Sequence, residues 1–117
     1  MADFLITEYD FENRADVKGL NVSGSLDSAS IQSVRDKVDL LIAAKCANII
    51  LNFGGLDYIN SAGLGVIVES MQKARLLNGK VIISNMSARV SQVVFMCGLD
   101  RIMEITDSDQ EALEKLT

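Results

Sequence analysis

The stretch IILNFGGLDYINSAGLGVIV, residues 49–68, begins as an apolar run, passes through a glycine pair and a serine, and ends as a second apolar run. With Asn48 in front, the segment NIILNF is β-branched and apolar on both faces, the pattern of a central parallel strand covered from both sides. Beyond the serine, Leu64, Ile67, Val68, Met71 and Ala74 recur at helical spacing, and Asn78-Gly79 supplies the stop. A strand that feeds a helix in this way puts Ser61 at the carboxyl side of a sheet, where open α/β folds carry their functional loops. Asn60 is a suitable N-cap. Ser61 then falls in the first helical turn, where unpaired N–H groups and the helix dipole favour negative charge. Gly63 and Gly65 cost helix propensity; what offsets the cost is a surface without side chains, which a large partner can approach closely.

Residue types alone leave a second reading open. Serine at a helix start is most often only a cap, and glycines there serve close internal packing about as often as an interface. Several chemistries are excluded outright. Val68 stands where a dinucleotide fingerprint needs its third small residue, and no lysine follows at P-loop spacing. Ile59 occupies the position where a nucleophile elbow needs glycine. The chain contains no histidine, which removes the commonest general base, the ordinary serine triad and most zinc chemistry. Asp27 and Asp57 read as solvated or capping loop acids. No catalytic residue, metal site or cofactor site is therefore expected, and the chain is read as a non-enzyme.

Working outward, FLITEY (Phe4–Tyr9) and KGLNVS (Lys18–Ser23) alternate like strands and form an opening hairpin across the polar stretch around Glu12–Asp16. Ile31, Val34, Val38, Leu41 and Ile42 make the apolar face of a first helix behind the capping candidates Ser28 and Ser30. After the central helix, KVIIS (Lys80–Ser84) is a buried strand. Ser87 caps a third helix with the inward stripe Val90, Val93, Val94 and Cys97, ending at Gly98 with Leu99 as its apolar stop residue. RIMEIT (Arg101–Thr106) is an edge strand, and Ser108 with Glu111 forms a capping box for a terminal helix bearing Leu113 and Leu116. The order predicts an α/β fold, an open mixed β-sheet with an N-terminal hairpin and about four helices, forming a single domain over residues 1–117.

Eleven basic and 16 acidic residues give a net charge of -5, with no basic cluster to meet a nucleic acid or an anionic membrane. Neither a leader-like start nor an apolar run of spanning length is visible, which predicts a cytoplasmic protein. Cys46 and Cys97 lack metal or redox spacing and are expected as packed, reduced thiols.

Three segments together resemble the STAS domain, in particular the stand-alone anti-sigma factor antagonists of bacteria: VSGSLDSAS with its Gly-x-Leu-Asp core, IILNFGGLDYINSAGLGVIV, and VSQVVFMCGLDRIMEITDSDQEAL. The resemblance implies that Ser61 is phosphorylated by an anti-sigma factor serine kinase and restored by a serine phosphatase. The unphosphorylated chain binds the kinase and frees a sigma factor; the phosphorylated chain is released. ATP and magnesium belong to the kinase. Asp27, Asn60, Ala62, Gly63, Leu64 and Gly65 become the implied partner contacts, and the free protein is expected as a monomer. The sequence departs from the family pattern at Asn60 and Asn52, each in place of an aspartate, and at Ala62, in place of a second serine. Asn60 keeps the capping ability and loses the charge. A STAS scaffold or adaptor that is never phosphorylated is the alternative reading.

Overall fold

The structure, a computed structural model, describes residues 3–116. Strand β1 (Leu5–Asp10) pairs antiparallel with β2 (Val17–Leu26), as the alternating hairpin predicts. Helix α1 (Ile31–Ala43), strand β3 (Asn48–Ile59), helix α2 (Ser61–Arg75), strand β4 (Lys80–Ser84), helix α3 (Ala88–Met96), strand β5 (Glu104–Thr106) and helix α4 (Asp109–Glu114) follow. The sheet order is β1-β2-β3-β4-β5, parallel from β2 onward. The mixed sheet with its hairpin and four helices is therefore as expected.

Alternation along the strands divides the core. Leu20, Ile49, Leu51, Phe53, Val81 and Ile83 pack with Val34, Val38, Ile67, Val90 and Val94 from α1, α2 and α3. Val17, Ile50 and Ile82 form a separate cluster with Ala112, against which Phe11, Leu113 and Leu116 pack. The central strand is covered on both faces, which is why NIILNF shows no polar alternation. Among the described residues, no helix is long and apolar enough to cross a membrane.

Four local expectations are corrected. β3 does not stop at Phe53: Gly55, Leu56, Tyr58 and Ile59 continue it by pairing with Ser23, Gly24, Ser25 and Leu26 across an irregular register. Neither Ser28 nor Ser30 caps α1 with its side chain. Ser30 is the N-cap residue, but its hydroxyl donates to Ser25 O at 2.7 Å and accepts from Asp27 N at 3.0 Å. β5 begins only at Glu104, because Leu99–Arg101 form a 3-10 turn after the left-handed Gly98. Cys97 is exposed rather than packed, while Cys46 is half-buried; both are free thiols.

Candidate functional site

Ser61 is the first residue of α2 and is exposed. The backbone just before it is extended, with Asn60 at φ -120°, and the Asn60 side chain accepts a hydrogen bond from Gly63 N at 3.2 Å. The Asn60 carbonyl accepts from Leu64 N at 3.0 Å. Asparagine thus supplies both bonds that start the helix, without a charge. The Ser61 hydroxyl makes no hydrogen bond among the described residues, so capping does not occupy it.

The end of β2 lies beside this start. Asn60 N donates to Leu26 O at 3.3 Å, which brings the Gly-x-Leu-Asp segment next to Ser61. Gly24 has φ +91°, and a Cβ there would stand 2.2 Å from Asp3 O, so the motif needs glycine on both counts. Asp27 is half-buried, and its Oδ1 accepts from Ala29 N at 2.9 Å, closing the turn into α1. Its position is therefore fixed by local structure as well as near the site.

The two glycines of α2 have opposite surroundings. A Cβ on Gly63 would lie 2.5 Å from Leu26 O and 2.8 Å from Ile59 Cγ1, whereas one on Gly65 would meet nothing within 4 Å. Gly63 is there for close approach of helix to strand; Gly65 is open to solvent. Leu64 is also largely interior, 5% exposed, and Ala62 is half-buried. Of the six implied contact positions, Gly63 and most of Leu64 belong to the fold, and Asp27, Asn60, Ala62 and Gly65 reach the surface.

An open, mainly apolar groove of about 530 Å³ runs from Ser61 along α2, lined by Leu64, Gly65, Val68, Glu69, Gln72 and Leu99. Beyond Leu99, Phe95 and Met96 at the end of α3 are 53% and 80% exposed. Leu99, Phe95 and Met96 were missed as surface by the sequence reading; Leu99 was visible only as a helix-stop residue. The opposite flank of α2 is closed by charge. Arg35 of α1 grips Glu69 with two hydrogen bonds, Nε to Oε2 at 2.8 Å and Nη2 to Oε1 at 3.2 Å. Lys73 bridges Glu69 at 3.1 Å and Asp39 at 2.6 Å. The Arg35 hydrogen bond, chiefly, holds the Glu69 carboxyl below the usual carboxylate range. Among the described residues, no group of three or more acidic, cysteine or histidine side chains is placed to hold a metal.

The STAS domain family profile matches residues 8–112. This chain belongs to the STAS domain family. It is similar to an anti-sigma F factor antagonist of Paenibacillus polymyxa, 29% identical over 110 residues that cover 93% of this chain and 94% of the relative. Its STAS fold superimposes on an anti-sigma factor antagonist from Mycobacterium paratuberculosis with a TM-score of 0.84 at 15% identity, covering 97% and 94% of the two chains. The antagonist SpoIIAA in its unphosphorylated form gives a TM-score of 0.75 at 24% identity, covering 97% and 95%. The mixed sheet and the placement of α1, α2 and α3 on one of its faces are thus those of the STAS fold.

Proposed function

We propose that this STAS protein is an anti-sigma factor antagonist that works by partner switching. The unphosphorylated chain binds an anti-sigma serine kinase and so frees a sigma factor; phosphorylation of Ser61 ends the complex, and a serine phosphatase restores it. The observation that carries the reading is an exposed, unengaged hydroxyl at the first position of α2, with the open Gly65 one turn further along the same helix and a mainly apolar groove beside both. The relatives' names supply the class of partner. Asp27, Asn60, Ala62, Leu64 and Gly65 border the contact, and Gly63 supports it from beneath. The chain is a substrate and a ligand, with the nucleotide and its metal on the kinase.

The physical logic of the switch is local. A phosphoserine adds about -1.5 to -2 charges near neutral pH. At Ser61 the dianion lies among the unpaired N–H groups of a helix start, which accept it in the free protein. In the complex it would have to lose its water against a surface shaped for a neutral hydroxyl, and a few kcal/mol lost there lowers affinity by orders of magnitude.

Protein recovered from its own cells tests this directly. Intact mass and phosphopeptide mapping should find one phosphate, on Ser61, absent from Ser61→Ala, and pull-down with the unphosphorylated form should retain an ATP-binding kinase. A chain that never carries phosphate, or that carries it elsewhere, refutes the reading and leaves the adaptor role.

A further inference from the structure

Asp109, in the first turn of α4, collects hydrogen bonds from three strands. Ser84 of β4 donates to Oδ1 at 2.6 Å, and Tyr9 of β1 donates to Oδ2 at 2.7 Å. Asn52 of β3 reaches both oxygens through Nδ2, at 3.3 and 3.4 Å. Arg14 holds the other end of α4 by donating to Leu113 O at 3.4 Å and Leu116 O at 2.7 Å. A helix of six residues has little apolar surface of its own, so these polar bonds carry a large part of its attachment.

Asn52 belongs to a second set of bonds as well. Its Oδ1 accepts from Gly54 N at 2.9 Å. It is also the last β3 residue in register with β4, opposite Ser84, and beyond it Gly55–Ile59 pairs with β2 alone. β3 therefore leaves β4 at the residue that Asp109 holds, and the departing segment delivers Asn60 and Ser61. Only an amide can do both jobs, donating to the carboxylate while accepting from the backbone.

We propose that Asn52 is a positioning residue which, held by Asp109, fixes the course of residues 54–60 and so couples the docking of α4 to the placement of Ser61. When Asp109 lets go, Asn52 loses its anchor on the α4 side and the segment is held only by its pairing with β2. The inference takes its meaning from the reading of Ser61 as a phosphate acceptor, yet its test involves no kinase. A failed test leaves Ser61 phosphorylation standing, and an unphosphorylated Ser61 leaves the coupling standing.

Amide hydrogen exchange of the whole chain, followed by NMR, reads the coupling. Asp109→Asn removes the charge that Asn52 donates to, and Asn52→Asp keeps the acceptor for Gly54 N while losing the donor to Asp109. Each should speed exchange of the protected amides in residues 54–60 by about tenfold, as expected for losing one hydrogen bond to a charged group. The double variant should be no faster than the faster single one, while Val81–Ile83 stay at the wild-type rate. Ser84→Ala, a milder change on the same carboxylate, should give the same segmental pattern at smaller amplitude, and it decides the matter if the other variants do not fold. Acceleration confined to α4, or spread evenly over the sheet, would overturn the proposal.

Discussion

Gly63→Ala and Gly65→Ala place one methyl group two residues apart in the same helix and should move stability in opposite directions. At 65 the added Cβ meets no atom within 4 Å, and the residue lies inside α2. What remains is intrinsic propensity, roughly 0.8 to 1 kcal/mol in favour of alanine. Unfolding entropies of about 2.1 cal/mol/K per residue convert that, for a chain of 117 residues, into a rise in Tm of about 4 °C. At 63 the methyl enters at 2.5 Å from Leu26 O, a backbone atom tied to Asn60 N, so the helix start or the end of β2 must shift. Overpacking of this kind costs about 1 to 3 kcal/mol, more than the propensity gain returns. Urea denaturation of the three proteins at one pH, with thermal melts alongside, measures both signs. The reasoning is refuted if Gly63→Ala matches the wild type, or if Gly65→Ala fails to stabilise. If both signs hold, the glycine at 65 does nothing for the fold, and Gly65→Arg should then keep the wild-type melt while weakening kinase binding at least tenfold by calorimetry, about 1.4 kcal/mol.

Phosphorylated protein should melt no lower than the unmodified form, because the helix start favours the dianion by roughly 0.3 to 1 kcal/mol; a clearly lower melt would mean that the switch works through unfolding. The Tyr9 hydroxyl is pushed well above its ordinary value of 10.0, by burial first and then by its hydrogen bond to Asp109. Its contribution to stability is therefore fully present below that ordinary value and is lost as pH rises through the raised one. In alkaline denaturation, Tyr9→Phe should be less stable by about 1 to 2 kcal/mol at neutral pH and should show less decline above pH ~10. A maleimide should label the exposed Cys97 well before Cys46, whose thiol is pushed up by burial; equal rates by mass spectrometry would contradict the burial difference.

The features legible in the sequence are those whose physics is local. Asn60 and Ser87 cap their helices through residues three positions ahead, at 3.2 Å in both cases, and such bonds follow from residue type and spacing. The β-branched runs at 48–53 and 80–84 announce strands buried on both faces. What escaped depends on partners distant in sequence. GGLDYI looks like a loop because a glycine pair signals a turn, but its pairing with β2, 32 residues away for Ser23 and Gly55, holds it extended. Ser30 looks like a helix cap until Ser25 O claims its hydroxyl. Cys97 matches the period of the inward stripe, but it lies at the α3 terminus, where the chain turns away through Gly98 and leaves it in solvent. Ser61 and Gly65 were readable as a candidate surface. The groove beside them was not, since Leu99 reaches it from the far side of α3. Asp109 gave no sign of its three strand partners for the same reason.

The ion pairs between α1 and α2 give any encounter at Ser61 a direction. On that flank Arg35, Glu69, Lys73 and Asp39 have already answered one another, and a body arriving there finds charges with nothing left to offer. On the other flank Val68, Leu99 and Phe95 are wet apolar surface with no such claim on them. Collisions from the α1 side are unproductive and those from the α3 side gain contact at once, so a partner arrives at the serine already oriented, with its reactive groups sorted to one side of the helix before any chemistry begins.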